Sequence, residues 1–290
     1  MCDSKEPRPA PYRYVAIVGI DGMGAFCRDS ESPNIRRIFK SGAMAYDCRS
    51  VYPTGSAECW GTMLTGIMPE IHKFTNDSLK TDPNSGEVKT IFRLLMEQKP
   101  NTHAASFCCW SLLNPGIVED IPGVTRERVE DCKVGKRVAD YIEEKGVPEL
   151  LFIQMNSPDA FGHEFGYGTK EHLAVIDKCD GYAGEVYEAY ERAGVLDETL
   201  FIVTSDHGGV CFTLEDGTTK GTHGGDSERE MKVFFGAVGR GVKSTVLKDA
   251  RIQDVPAIAC YALGIKGNEG EWESRIPADL FEKRLKFKEI

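Results

Sequence analysis

Three of the most apolar runs in this chain lead into an aspartate. Tyr14 to Ile20 (YVAIVGI) is followed by Asp21, Leu200 to Thr204 (LFIVT) by Ser205-Asp206, and Glu149 to Met155 (ELLFIQM) by Asp159, four residues on. Apolar runs of this length without alternation suit strands buried on both faces. Amphipathic stretches separate them: Thr90 to Gln98, Arg126 to Glu144 with Val129, Val134, Val138 and Ile142, and His172 to Ala193. Strands alternating with helices predict an α/β fold, a three-layer sandwich around a mostly parallel central sheet. Further strands are expected over Ala43 to Tyr52, Ala104 to Trp110 and Lys232 to Val238. Further helices are expected from Ser32-Pro33-Asn34 through Phe39, over Ser56 to Thr65 and over Gln253 to Leu263.

In a parallel sheet the carboxyl ends of the strands share one edge, where ligands bind. Asp21, Asp159 and Asp206 would therefore converge. A single aspartate after a strand is an ordinary turn or N-cap residue, so the case depends on the histidines beside these three. Of six histidines, His163 lies four residues beyond Asp159, His207 directly follows Asp206, and His223 sits in Thr222-His223-Gly224-Gly225. Carboxylate and neutral imidazole are ligands that zinc and similar divalent ions favour. Three of each suffice for two ions with open positions. His72, His103 and His172 lack such a setting and read as surface or hydrogen-bonded residues.

Ser56, in Tyr52-Pro53-Thr54-Gly55-Ser56-Ala57-Glu58-Cys59-Trp60, has two readings. It is a helix N-cap, or a nucleophile at the positive end of a helix, where a phosphate also binds. A metal beside it would let the hydroxyl ionise near neutral pH. The stretch alone favours the cap.

Composition narrows the classes. With 290 residues, 41% hydrophobic and 28% charged, the chain can bury a core, and disorder is excluded. The 30 glycines and 14 prolines follow no collagen period. No apolar run approaches the ~18 residues of a membrane span. No linker or repeat divides the sequence, so one domain over residues 1–290 is expected, with residues 1–12 as a flexible lead-in. The formal charge, 35 − 45 = −10, argues against general nucleic-acid binding. A small anionic substrate remains compatible if bound metal reverses the sign locally. Ten cysteines without a CxxC pair read as reduced thiols, and the polar start MCDSKEPRPA lacks a signal peptide's apolar run. Both point to a cytoplasmic protein. A Met ahead of the mature cysteine of a lipoprotein would give the same start.

Together the motifs resemble the alkaline phosphatase superfamily, and within it the type I phosphodiesterase/nucleotide pyrophosphatase branch. Pro53-Thr54-Gly55-Ser56 followed by Met63-Leu64-Thr65-Gly66-Ile67-Met68-Pro69-Glu70-Ile71-His72 is similar to that branch's nucleophile segment. Ile20-Asp21, Pro158-Asp159-Ala160-Phe161-Gly162-His163, Ser205-Asp206-His207-Gly208 and Thr222-His223-Gly224 follow in the family's order. The likeness runs from about residue 14 to 265. It extends through Val233-Phe234-Phe235-Gly236, Asp254-Val255-Pro256 and Ala262-Leu263-Gly264.

The resemblance implies an alkaline-phosphatase-like core and a metal-dependent hydrolase of small phosphate esters. It implies one metal on Asp159, His163 and His223, and a second on Asp21, Asp206 and His207 together with the nucleophile, Ser56. Thr54 is the alternative hydroxyl, and Asn76 would hold a phosphoryl oxygen. The ions would be zinc, with manganese as the alternative. Two divalent ions and three aspartates leave the site at about +1. Two departures stand out: Ala57 replaces the aromatic that often follows the nucleophile in nucleotide-cleaving members, and Lys73 replaces a glycine. No arginine lies close to Ser56 in sequence, which favours diesters over monoesters. A phosphomonoesterase, a phosphonate hydrolase and a catalytically silent phosphate- or metal-binding protein are the rival readings. The continuous α/β pattern from Ser56 to Asp159 argues against a mutase.

Overall fold

The computed structural model describes residues 10–81, 84, 88–268 and 272–282. The apolar runs form the inner strands of an eight-stranded sheet. In chain order the strands are β1 (Tyr14–Ile20), β2 (Ala43–Arg49), β3 (Ala104–Cys108), β4 (Val124–Arg128), β5 (Leu150–Met155), β6 (Thr199–Thr204), β7 (Val210–Thr213), β8 (Thr219–Thr222), β9 (Lys232–Val238) and β10 (Thr245–Val246). The sheet order is β10-β2-β9-β6-β1-β5-β3-β4, and β7 and β8 form a separate hairpin. Strand β9 pairs antiparallel with both neighbours, and the other pairings of the eight-stranded sheet are parallel.

Successive residues of the inner strands enter opposite cores. Val15, Ile17, Leu150, Phe152, Leu200 and Ile202 share a core with Trp60, Leu64, Ile91, Leu95 and Ile258. Ala16, Val18, Leu151, Ile153, Phe201 and Val203 share the other with Ile35, Val138, Ile176 and Val186. The helices Ser56–Thr65, Ile91–Gln98 and Val255–Ala262 therefore cover one face. Pro33–Ile38, Val134–Lys145 and Lys170–Arg192 cover the second, and three layers result.

Strand β1 lies between β5 and β6 and pairs in parallel with both. The sequence enters one neighbour and then the other, so their carboxyl ends open a crevice at a topological switch point. Asp21, Asp159 and Asp206 follow these three adjacent strands.

The element readings differ from the structure in definite places. The expected helix over Arg126 to Glu144 starts only at Val134, and Val124–Arg128 is the edge strand β4. Val129, Val134, Val138 and Ile142 mimic a helical stripe, but Arg126 donates to the Asn114 and Val118 carbonyls and Val129 N donates to Cys108 O. A charged, polar edge strand carries no apolar alternation to read. Strand β2 ends at Arg49 and β3 at Cys108, shorter than expected, and Ser157–Phe165 is a helix that the pattern left unassigned. Residues 1–9 of the expected lead-in lie outside the described residues. At its end, Tyr12 is packed, with its hydroxyl donating to Arg240 O at 2.6 Å.

Gly19 links the sheet to the crevice. A Cβ at Gly19 would stand 2.4 Å from the Trp60 ring; its absence lets that indole lie on β1 with no exposure. Gly19→Ala is expected to cost about 2 kcal/mol, as overpacking of a closed core does, measured as a lower urea midpoint at unchanged slope.

Candidate active site

Asp21, Asp206 and His207 are fully buried at the carboxyl ends of β1 and β6. Asp21 Oδ2 accepts from Trp60 Nε1 at 2.9 Å and Gln154 Nε2 at 2.8 Å. Asp206 Oδ1 accepts from the Gly22 amide at 3.1 Å. The second oxygen of each, Asp21 Oδ1 and Asp206 Oδ2, has no hydrogen-bond partner. Both face His207 Nε2, at 3.5 and 3.2 Å. Burial holds both carboxyls well above the usual carboxylate range, and for Asp21 the charges of Asp206 and Asp159 push the same way.

A second triad lies nearer the surface. Asp159 and His163 share one helix, four residues apart and so on one side of it, and His223 follows the β7–β8 hairpin. Asp159 stands 3.5 Å from each imidazole Nε2, and the two Nε2 atoms are 3.1 Å apart. Burial opposes ionisation of Asp159, but the neighbouring histidines, His207 first, outweigh it and lower its carboxyl. Burial and then His207 push His223 down to about 4. The rings of His207 and His223 stack at 3.8 Å between centroids, so the two triads share a wall.

All three imidazoles are oriented alike. Nδ1 of His207, His223 and His163 meets the carbonyls of Gly208 at 2.9 Å, Thr54 at 2.6 Å and Gly221 at 3.1 Å. A carbonyl only accepts, so each Nδ1 carries a proton, and in the neutral ring each Nε2 then presents a lone pair. The crevice thus holds three imidazole lone pairs and two orphaned carboxylate oxygens, and Ser56 Oγ faces one of the lone pairs at 3.2 Å. Buried acceptors without donors are costly; divalent cations satisfy such a set, and the second-side anchoring is of the kind metal-binding histidines use.

Ser56 is the first residue of its helix, and Gly55, which has no side chain to cap with, occupies the N-cap. The N-cap reading of Ser56 is therefore corrected: its hydroxyl faces His207 Nε2 at 3.2 Å instead. Thr54, the alternative hydroxyl, donates to Gly225 O at 2.7 Å and accepts from Gly224 N at 2.9 Å. Asn76 Oδ1 accepts from the Ala57 amide at 3.0 Å. That bond fixes the orientation of the Asn76 side-chain amide.

Several supports carried no sequence signal. Trp60 and Gln154 hold Asp21; Tyr167 donates to Asp159 Oδ1 at 2.6 Å; Glu230 accepts from Gly225 N at 2.7 Å and steadies the His223 loop. Of the remaining histidines, His172 Nε2 lies 3.2 Å from Gly22 O, behind Asp21. His72 accepts from Phe74 N at 2.9 Å, and His103 meets Tyr141 at 3.1 Å.

A model of the type I phosphodiesterase / nucleotide pyrophosphatase family matches residues 15–223. The chain belongs to this family. That family is a branch of the alkaline phosphatase superfamily. Among curated relatives, the bis(5'-adenosyl)-triphosphatase ENPP4 of Homo sapiens is 23% identical over 212 residues, covering 66% of this chain and 46% of its own length. The venom phosphodiesterase of Macrovipera lebetinus is 22% identical over 200 residues, 62% of this chain and 23% of its own. This chain spans at most about half the length of these relatives. Murine ectonucleotide pyrophosphatase / phosphodiesterase 5 superposes with a TM-score of 0.72 at 17% identity, covering 90% of this chain and 98% of that one. An inactive form of the same murine protein in complex with AMP gives 0.73 at 16% identity, with 90% and 98% covered. At this identity the structures establish the shared fold.

His72 and His172 lie in the packing around the site, and burial pushes each down to about 4. The folded state thus favours the neutral rings. Their contribution to stability is complete above the unfolded value of about 6.5 and is lost as pH falls toward 4, on the order of 3 kcal/mol per ring. Urea unfolding across this window is expected to show falling stability, with a shallower slope in His72→Gln.

Proposed function

We propose that this chain hydrolyses small phosphate diesters, with Ser56 as nucleophile and two divalent cations, zinc by preference, as cofactors. Asp159, His163 and His223 would hold one ion, and Asp21, Asp206 and His207 the other, beside Ser56. The observation that carries the reading is the meeting of Ser56 Oγ and two partnerless carboxylate oxygens around one imidazole lone pair, that of His207 Nε2.

Bound there, the ions supply positive charge that favours the Ser56 alkoxide and offsets charge on the phosphoryl oxygens. The chain's own groups do the positioning. The Ser56 proton leaves to solvent, and Oγ forms a bond to phosphorus as the bond to the leaving oxygen breaks. Water then cleaves the phosphoserine and restores the hydroxyl. Asn76 Nδ2 donates to a phosphoryl oxygen, while its Oδ1 stays on the Ala57 amide. Thr54 keeps the His223 loop against the nucleophile segment and is not itself free to attack.

Ser56→Ala is expected to lower kcat/KM for bis-p-nitrophenyl phosphate on the order of a thousandfold or more, as loss of a nucleophile does, with metal content by mass spectrometry unchanged. Undiminished turnover in that variant would remove Ser56 from the reaction. Chelation is expected to abolish turnover and lower the Tm, with both restored by zinc. Asp206→Asn is expected to bind less than the full metal complement. Chelated protein that remains fully active would end the two-cation reading.

A further inference from the structure

Tyr167 lies against the outer triad without being one of its donors. Its ring is buried and rests on the backbone of three segments, each of which carries a site histidine. A Cβ at Gly162 or Gly209 would stand 2.4 Å from the ring, and one at Gly221 2.6 Å. Gly162 lies between Asp159 and His163 on their helix, Gly209 two residues beyond His207, and Gly221 two residues before His223. The ring meets His163 and His223 edge-on, at 5.9 and 6.3 Å between centroids. Its hydroxyl donates to Asp159 Oδ1 at 2.6 Å. Asp159 Oδ1 stands 3.5 Å from His223 Nε2, and Oδ2 stands 3.5 Å from His163 Nε2, so each oxygen faces one imidazole. A pinned Oδ1 stops the carboxylate from turning and keeps both oxygens in those places. A buried tyrosine hydroxyl commonly takes a partner for stability, but that role predicts no effect on one cation site rather than the other.

We propose that Tyr167 is a positioning residue that sets the affinity of the outer cation site, acting through Asp159. The inference rests on the two-cation reading and deepens it. A carboxylate already held by a hydrogen bond loses less freedom when it takes a metal, and removing such a bond typically weakens metal binding about ten- to a hundredfold. The inner triad has its own supports: Asp21 is held by Trp60 and Gln154, and Asp206 by the Gly22 amide. The outer triad is the looser of the two, with His163 largely exposed and His223 in the loop after the hairpin. An anchor for its single carboxylate therefore matters more there. The hydroxyl is the part that acts on Asp159, whereas the ring keeps the three glycine-bearing segments in place.

The test titrates zinc into chelator-stripped protein in competition with a chromophoric chelator. Asp159→Asn and Asp206→Asn identify which of the two affinities belongs to the outer site and which to the inner. Tyr167→Phe keeps the ring among its glycines and removes only the hydroxyl. It is expected to weaken the outer site about ten- to a hundredfold and to leave the inner one nearly unchanged. In an Asp159→Asn background the same substitution should change zinc binding no further, because the residue it acts through is gone. A lower Tm of the metal-free protein with both zinc affinities unchanged, or equal weakening of both sites, would overturn the proposal and leave Tyr167 a packing residue. The two-cation reading would survive either result. A further loss of zinc in the Asp159→Asn background would likewise overturn action through Asp159. Parent protein that takes up no zinc at the outer triad would overturn both the proposal and the two-cation reading. If Tyr167→Phe weakens only the outer site but the parent hydrolyses no phosphate ester, Tyr167 keeps its role and the phosphodiesterase reading falls.

Discussion

Each of His163, His207 and His223 places its Nδ1 proton on a backbone carbonyl, and the rest of the site follows from that choice. With those protons directed outward, the inward nitrogens can only accept. They meet carboxylates that also only accept, two of whose oxygens are buried without partners. A core of this kind is unstable by itself, because like dipoles and like charges crowd together out of reach of water. Two answers exist: protonation, toward which burial pushes Asp21 and Asp206, or cations. The carbonyl anchors favour cations. They hold each ring in the tautomer that presents a lone pair, and the rigid supports of Trp60, Gln154 and Tyr167 keep the carboxylates from turning away.

Sheet topology explains why one triad is sealed and the other open. Asp21 and Asp206 follow the central strand β1 and its neighbour β6, so helices of both layers close over them. Asp159 and His163 belong to a helix that starts beyond β5, and His223 belongs to a hairpin loop that only borders the crevice. His163 keeps 46% of its side chain exposed, whereas His207 keeps none. The outer triad is therefore the side of the site open to solvent, and the inner triad is sealed.

The sequence made the convergence legible because burial and function leave different marks. Apolar runs such as YVAIVGI announce inner strands, and a polar residue directly after such a run must stand on the ligand edge. That rule put Asp21 and Asp206 near the edge, but a single aspartate there is also an ordinary turn residue, so the histidines beside them decided the reading. His163 and His207 were readable from their places beside those aspartates and His223 from Thr222-His223-Gly224-Gly225, and the order of motifs joined the pieces. What escaped was set by tertiary partners. The strand β4 is stabilised by Arg126 bonds to distant carbonyls, not by apolar alternation. The helix Ser157–Phe165 takes its N-terminal support from Asp131, which accepts from the Asn156 and Ser157 amides across the chain. Neither bond is written in a local pattern. The N-cap reading of Ser56 failed for the same reason: local propensity favours a serine at a helix start, and His207, 151 residues away, decides where its hydroxyl points.

Thr54 shows how the two hydroxyls before and at the start of this helix divide their work. Its side chain bonds to both Gly224 and Gly225, and its carbonyl receives the His223 proton. Three bonds from one residue tie the loop before the helix to the loop after the hairpin. Ser56, two residues on, is consequently carried by a segment already fixed to one wall of the outer triad while its own hydroxyl faces the inner one. Moving either loop would separate Ser56 from His223 and shift it against His207 together. The geometry between Ser56 and both triads is therefore one mechanical unit, and a hydroxyl engaged at both ends is the joint that makes it so.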